Sequence, residues 1–161
     1  MALRKILTDR DSKLYMVCKS VERFNARLHV LLDDMAETMY KAEGAGLAAN
    51  QVGILKRICV IDCGDGLVEL INPEIVSTEG EQGDMEGCLS FPGKSGYVVR
   101  PQKVVVRAKD RNGKDRQYIA EDMFARAVMH ETDHLDGKVY TRLVTEPPEG
   151  FEIQSDEGEE E

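Results

Sequence analysis

His130, Glu131 and His134, in the run Ala125-Arg-Ala-Val-Met-His-Glu-Thr-Asp-His134, form an H-E-x-x-H pattern. On a helix the two histidines lie one turn apart on the same face, so both imidazoles reach one metal ion. Glu131, rotated by about 100° from His130, sits beside that ion, where a carboxylate takes a proton from metal-bound water rather than ligating. The same spacing also arises by chance in helices whose histidines are surface residues. A catalytic site of this type needs three protein ligands and one open position for water. The chain has only three histidines and the third, His29, lies far upstream, so a further ligand is expected among Cys, Asp and Glu. Cys88 is the best candidate. It stands in Met85-Glu-Gly-Cys-Leu-Ser90, beside a glycine that lets the backbone pass close to a ligand. A lone cysteine is also commonly a small buried hydrophobe, and local sequence leaves the choice open.

These residues need elements to hold them. Met123, Phe124, Ala127, Val128 and Leu135 recur at helical spacing up to Gly137, which predicts a helix of roughly Glu121 to Leu135 under the histidines. Leu28, Leu31, Leu32, Met35 and Met39 predict a second amphipathic helix from about Asn25 to Lys41, stopped at Glu43-Gly-Ala-Gly46. Between them the pattern changes to short β-branched runs: Ile58-Cys-Val-Ile61, Val68-Glu-Leu-Ile71, Glu74-Ile-Val-Ser77 and Lys103-Val-Val-Val-Arg107. Lys103–Arg107 and Gln117–Ile119 flank Asp110-Arg-Asn-Gly113, and Asn-Gly is a strong hairpin signal. Val139-Tyr-Thr-Arg-Leu143 reads as a final strand or extended segment. Helix, antiparallel strands, then helix indicates an α+β fold, with antiparallel sheets packed around a central helix that carries the H-E-x-x-H motif.

At 161 residues the chain is the size of one domain with a single core. That domain is expected over 1–146, followed by an acidic tail over 147–161. The last eight residues, Gln154-Ser-Asp-Glu-Gly-Glu-Glu-Glu161, hold five acids and no apolar side chain, a composition expected to stay solvated and disordered. The net charge of −9 argues against binding nucleic acid through a basic surface. The four cysteines, Cys18, Cys59, Cys63 and Cys88, show no framework spacing, and Cys59 and Cys63 read as structural thiols. The opening Met1-Ala-Leu-Arg-Lys-Ile-Leu7 has no long apolar run and no segment approaches membrane-spanning length, so the expected location is the cytoplasm.

Together with Gly44-Ala-Gly-Leu-Ala-Ala-Asn-Gln51, the metal-type motifs resemble peptide deformylase. That family carries G-x-G-L-A-A-x-Q, E-G-C-L-S and H-E-x-x-H in this order, and the chain matches all three from about Leu3 to about Val144. The resemblance implies removal of the formyl group from N-formylmethionyl nascent chains, with release of formate. It implies that Cys88, His130 and His134 bind the metal and that Glu131 is the general base and acid. Gln51, through its side-chain amide, and Leu89, through its backbone N–H, would donate to the formyl oxygen. Gly46 and Ala45 would line a groove in which the peptide lies extended, Gly87 would also contact substrate, and Ala45, Ala127 and Val128 are candidates for the methionine pocket. Ferrous iron is the implied physiological metal, with zinc, nickel and cobalt as substitutes that the same donors accept.

Glu86 and Arg100 look like the family's buried acid and base, expected to pair and hold Gly87-Cys88. Asp133 is expected either to bond a neighbour of the site or to lie at the surface. Two positions depart from the family: Met129 stands where many members have Gln, and the acidic C-terminus replaces the basic extension that some members use at the ribosome. A zinc peptidase is the alternative enzyme, but the chain after His134 is too short and acidic to supply its usual third ligand. A non-catalytic peptide-binding protein is the alternative outside catalysis, and it would lack one of Glu131, Cys88 or the histidines, all of which are present.

Overall fold

The computed structural model describes residues 2–152, so the part of the acidic tail at 153–161 lies outside the described residues. Helix α1 (Ala26–Lys41) starts at Asn25, whose side-chain oxygen accepts from the Leu28 N–H at 3.2 Å. That bond satisfies one of the donors a helix N-terminus leaves free. At the other end Glu43, not the following glycine, takes the left-handed conformation (φ 58°), and Gly44 N–H closes on the Met39 carbonyl.

Among the described residues there are seven strands: β1 (Gly46–Ala48), β2 (Ile58–Ile61), β3 (Val68–Glu79), β4 (Gln82–Gly87), β5 (Ser95–Arg100), β6 (Lys103–Lys109) and β7 (Asp115–Glu121). The expected β-branched runs fall in four of them, β2, β3, β6 and β7. Five form an antiparallel sheet in the order β1-β2-β3-β6-β7, while β4 and β5 form a separate hairpin. Helix α2 (Asp122–Leu135) follows β7 directly. The runs expected at 68–71 and 74–77 are one strand, bent by a register shift between Ile71 and Glu74. Asn72 occupies that bend with φ 52° and exchanges two side-chain hydrogen bonds with the Val21 backbone, while Pro73 falls where no ladder donor is needed.

Both faces of β2 are covered, which explains why all four of its residues are buried. Cys59 and Ile61 point into a core shared with Val128 and Leu135 of α2 and with Leu70, Val104, Val106 and Ala120. Ile58 and Val60 point the other way, against Leu28, Leu32, Met35 and Met39 of α1. The sheet is thus sandwiched between the two helices, and α2, with nine of its residues buried, is the central one.

Three local expectations change. Val139–Leu143 is not extended beyond its first residue: Tyr140–Leu143 forms a single 3-10 turn. Tyr140 is buried there with Phe91 and Val98, and Arg142 reaches Asp133 at 3.0 Å, so the turn is fixed by side chains rather than by a strand partner. Strands β1 and β4 carry no β-branched residue, and in β5 the valines are only Val98 and Val99, so none of the three was expected as a strand. Val128 is fully buried in the core and lines no groove, which removes it from the expected methionine pocket. Within the first part of the expected tail, Phe151 packs edge-on against Tyr97 with ring centroids 4.8 Å apart.

Candidate metal centre and its supporting network

Helix α2 presents His130 and His134 on one face, as their four-residue spacing requires. The turn after β4 brings Cys88 to the same point. His130 Nε2 lies 3.2 Å from His134 Nε2, which lies 3.3 Å from Cys88 Sγ, and the three ligand atoms all fall within 4.8 Å of one another. Ligands about 2.0–2.3 Å from a common ion must be separated by distances of this order. One soft sulfur and two imidazoles suit a first-row divalent metal. His134 is fully buried, His130 is 7% exposed, and the cysteine is half-buried at the mouth of the cleft.

Glu86 is the hub beneath the ligands. It accepts from Arg100 Nη2 at 2.6 Å, from Arg126 Nη1 at 2.7 Å and from His130 Nδ1. The last bond leaves His130 Nε2 facing the ligand point, the arrangement that orients metal-binding histidines. Burial alone would raise the Glu86 carboxyl, but the bonds from His130 and Arg100 overcome it and hold the group well below the usual carboxylate range. Arg100 also reaches Asp133 at 2.8 Å, so Asp133 belongs to this network and is not a free surface acid. Burial lowers His130, yet the surrounding Glu131, Cys88 and Glu86 outweigh it and push the ring up to about 10. Burial drives His134 well below its ordinary value, toward the neutral form a ligand needs.

Glu131 lies beside the ligands but does not join them. Burial pushes its carboxyl up to about 7, with His130 opposing the shift. A carboxyl near neutrality both takes and returns protons at physiological pH. Its approach requires Gly46, because a Cβ there would stand 2.9 Å from Glu131 Cδ and collide with the carboxylate oxygen. Gln51, on the 3-10 turn Ala49–Val52, has an amide of fixed orientation. Its oxygen accepts from Ala48 N–H at 2.9 Å, so its Nε2 is free to donate to Ser90 Oγ at 3.0 Å and to face Cys88 Sγ at 3.5 Å.

These groups open on a cleft of about 430 Å³ lined by Ala45, Gly46, Gln51, Gly87, Cys88, Leu89, Ala127, His130 and Glu131 among others. One wall is β1, which pairs only with β2, and the other is β4, which pairs only with β5. The structure thus brings together every site residue expected from the sequence except Val128. Sequence reading missed Arg126 and Ser90. Arg126 precedes His130 by four residues, one helical turn, and that spacing was the available signal. Ser90 closes the E-G-C-L-S motif. Met129 is half-buried against the core around α2.

A family model described as polypeptide deformylase matches residues 3–148. The chain belongs to the polypeptide deformylase family. A peptide deformylase of Caldicellulosiruptor bescii is 57% identical over 144 residues, covering 89% of this chain and 87% of that protein. Two crystal structures of other peptide deformylases share the architecture. One, from Legionella pneumophila, has a TM-score of 0.86 at 43% identity, over 89% of this chain and 86% of that one. The other, from Synechococcus elongatus in complex with actinonin, has a TM-score of 0.85 at 40% identity, over 88% and 78%. As a deformylase-family metallohydrolase, the chain removes the N-terminal formyl group from formylmethionyl nascent polypeptides and releases formate.

Proposed function

We propose that Cys88, His130 and His134 hold one divalent ion, ferrous iron in the cell, and that Glu131, Gln51 and Leu89 carry out the deformylation around it. The observation that carries this reading is the convergence of one thiol and two Nε2 atoms beside a buried carboxyl near neutrality in a single cleft. When bound, the ion would supply Lewis-acid polarisation of water and of the formyl group. Glu131 takes a proton from the attacking water and returns it to the departing nitrogen, since an amide anion is a poor leaving group. Gln51 Nε2 and the Leu89 N–H donate to the formyl oxygen as charge builds on it. Glu86, with Arg100, holds the loop Gly87-Cys88 and the His130 ring.

The peptide lies extended between the free edges of β1 and β4, along Ala45-Gly46 and Gly87, with the methionine side chain near Ala45 and Ala127. Nascent chains are the partners, and a net charge of −9 disfavours attachment to ribosomal RNA through a basic surface. No described helix is long and apolar enough to cross a membrane, and we place the reaction in the cytoplasm, where nascent chains emerge.

The test is formate release from formyl-Met-Ala-Ser by anaerobically prepared protein, with bound metal quantified on the same sample. Rapid release by iron-loaded protein that slows on exposure to oxygen supports both parts of the proposal. Absence of release from fully metallated protein would overturn the roles assigned to these residues.

A further inference from the structure

The three groups that converge on the ligand point come from two segments far apart in the chain: Cys88 from the turn after β4, and the histidines from α2. Between them stands the 3-10 turn Ala49–Val52. Its Gln51 bonds the cysteine side, through Ser90 Oγ and Cys88 Sγ. The preceding residue bonds the histidine side: Asn50 Nδ2 donates to the backbone carbonyl of His134 at 2.5 Å. A carbonyl can only accept, so this contact fixes which end of the Asn50 amide faces the helix. Asn50 is fully buried, and its Oδ1 meets no partner among the described residues.

A buried amide with one unpaired end is a poor choice for packing alone, because the same volume could be filled by an apolar side chain without that cost. The His134 carbonyl is not short of donors either, since Gly137 N–H already bonds it at 2.9 Å. The bond instead ties the backbone of a ligand residue to the turn that carries the oxyanion donor.

We propose that Asn50 is a positioning residue for the metal centre. With Gln51 it forms a two-sided clamp, one amide on each ligand-bearing segment, that sets the distance between Cys88 Sγ and His134 Nε2. This inference rests on the three-ligand reading above. It adds a residue outside the ligand set and outside the reacting groups. Losing such an outer support typically weakens metal binding about 10- to 100-fold.

Cobalt(II) is the probe, because its visible spectrum reports ligand geometry and its thiolate charge-transfer band reports the Cys88 bond. Wild-type protein, Asn50→Ala and Val106→Ala, a core control on β6, are titrated with cobalt(II) and their thermal midpoints recorded. Wild type must first show the thiolate band; its absence would sink the three-ligand reading and with it the clamp. Given that band, the expected result is a shifted d–d spectrum and about 10-fold or more weaker cobalt binding in Asn50→Ala, with Val106→Ala unchanged in both despite its lower midpoint. If Asn50→Ala does not fold, Asn50→Thr is read in the same way. A wild-type spectrum and affinity in the Asn50 variant, or an equal change in Val106→Ala, would overturn the proposal.

Discussion

The roles proposed for Glu131 and Gln51 follow from what their surroundings do to them. Glu131 is pushed up to about 7 chiefly by burial, so it exchanges protons readily near neutral pH, and Glu131→Ala is expected to abolish nearly all formate release. The three ligand atoms do not depend on it, and metal analysis should find the ion retained. Loss of the metal together with the activity would show instead that Glu131 ligates. Gln51 is oriented by Ala48 and Ser90 rather than by the metal. Donors to a developing oxyanion are worth about 2.7–4 kcal/mol, so Gln51→Ala should lower kcat roughly 100- to 1000-fold. An unchanged KM would place that loss in the transition state. The residues in these roles were legible in the sequence because their motifs are local: four residues of helix put two histidines on one face. Arg126 and Asn50 were not singled out, because their partners Glu86 and His134 lie 40 and 84 residues away.

Elements differ in whether their buried or capped groups serve the site or only the fold. The β4–β5 hairpin carries Glu86 and Arg100 on neighbouring strands, and their ion pair is almost sealed from solvent, at 5% and 2% side-chain exposure. Removing one partner of a buried pair leaves an uncompensated charge and costs about 3–5 kcal/mol. Arg126 and His130 still face Glu86, so Arg100→Ala should fall near the lower value, about 3 kcal/mol, and depress the thermal midpoint by roughly 10 °C. Calorimetry showing no shift would mean that the pair does not support the metal loop. Helix α1 is a contrasting case. Asn25→Ala should cost about 1 kcal/mol by removing the bond to Leu28 N–H, while formate release stays at the wild-type rate. Helices α1 and α2 were readable to within about a residue because the 3.6-residue repeat survives without its partners. Strands β1, β4 and β5 were not, since their glycines serve contacts with other elements. Gly46 makes room for Glu131, and a side chain on Gly83 or Gly96 would meet Tyr97 or Val144. Tyr140–Leu143 misled for the same reason, its 3-10 turn being held by contacts to Phe91, His130 and Asp133.

The two larger cores are built without Cys88, His130 or His134, and only Cys88 packs against the small cluster of Phe91, Val98, Val139 and Tyr140, so the whole molecule should stay folded when the ion is removed. Chelation is expected to abolish formate release and lower the thermal midpoint while leaving the far-ultraviolet circular dichroism unchanged. Acid should act on the fold more broadly. Asp34 is held down by the backbone bond from Ala2, Asp62 by the Tyr40 hydroxyl and Asp110 by the backbone bond from Lys114. In Glu86 the bonds from His130 and Arg100 overcome burial. A carboxyl depressed in the folded state adds stability above its unfolded value near 4 and loses it as pH falls through the folded one. The midpoint should therefore drop steadily as the pH falls below about 4; a midpoint maintained to pH 2 would contradict these bonds. By itself the sequence determined the two helices, the Asn-Gly hairpin, the α+β class and the three ordered motifs, because each depends on neighbours within a few residues. Tertiary structure alone decided how closely Cys88 approaches two histidines more than 40 residues away, that Glu86 accepts from three donors at once, and that Val128 belongs to the core. Those facts depend on which faces of the sheet the two helices cover, and no local spacing encodes that.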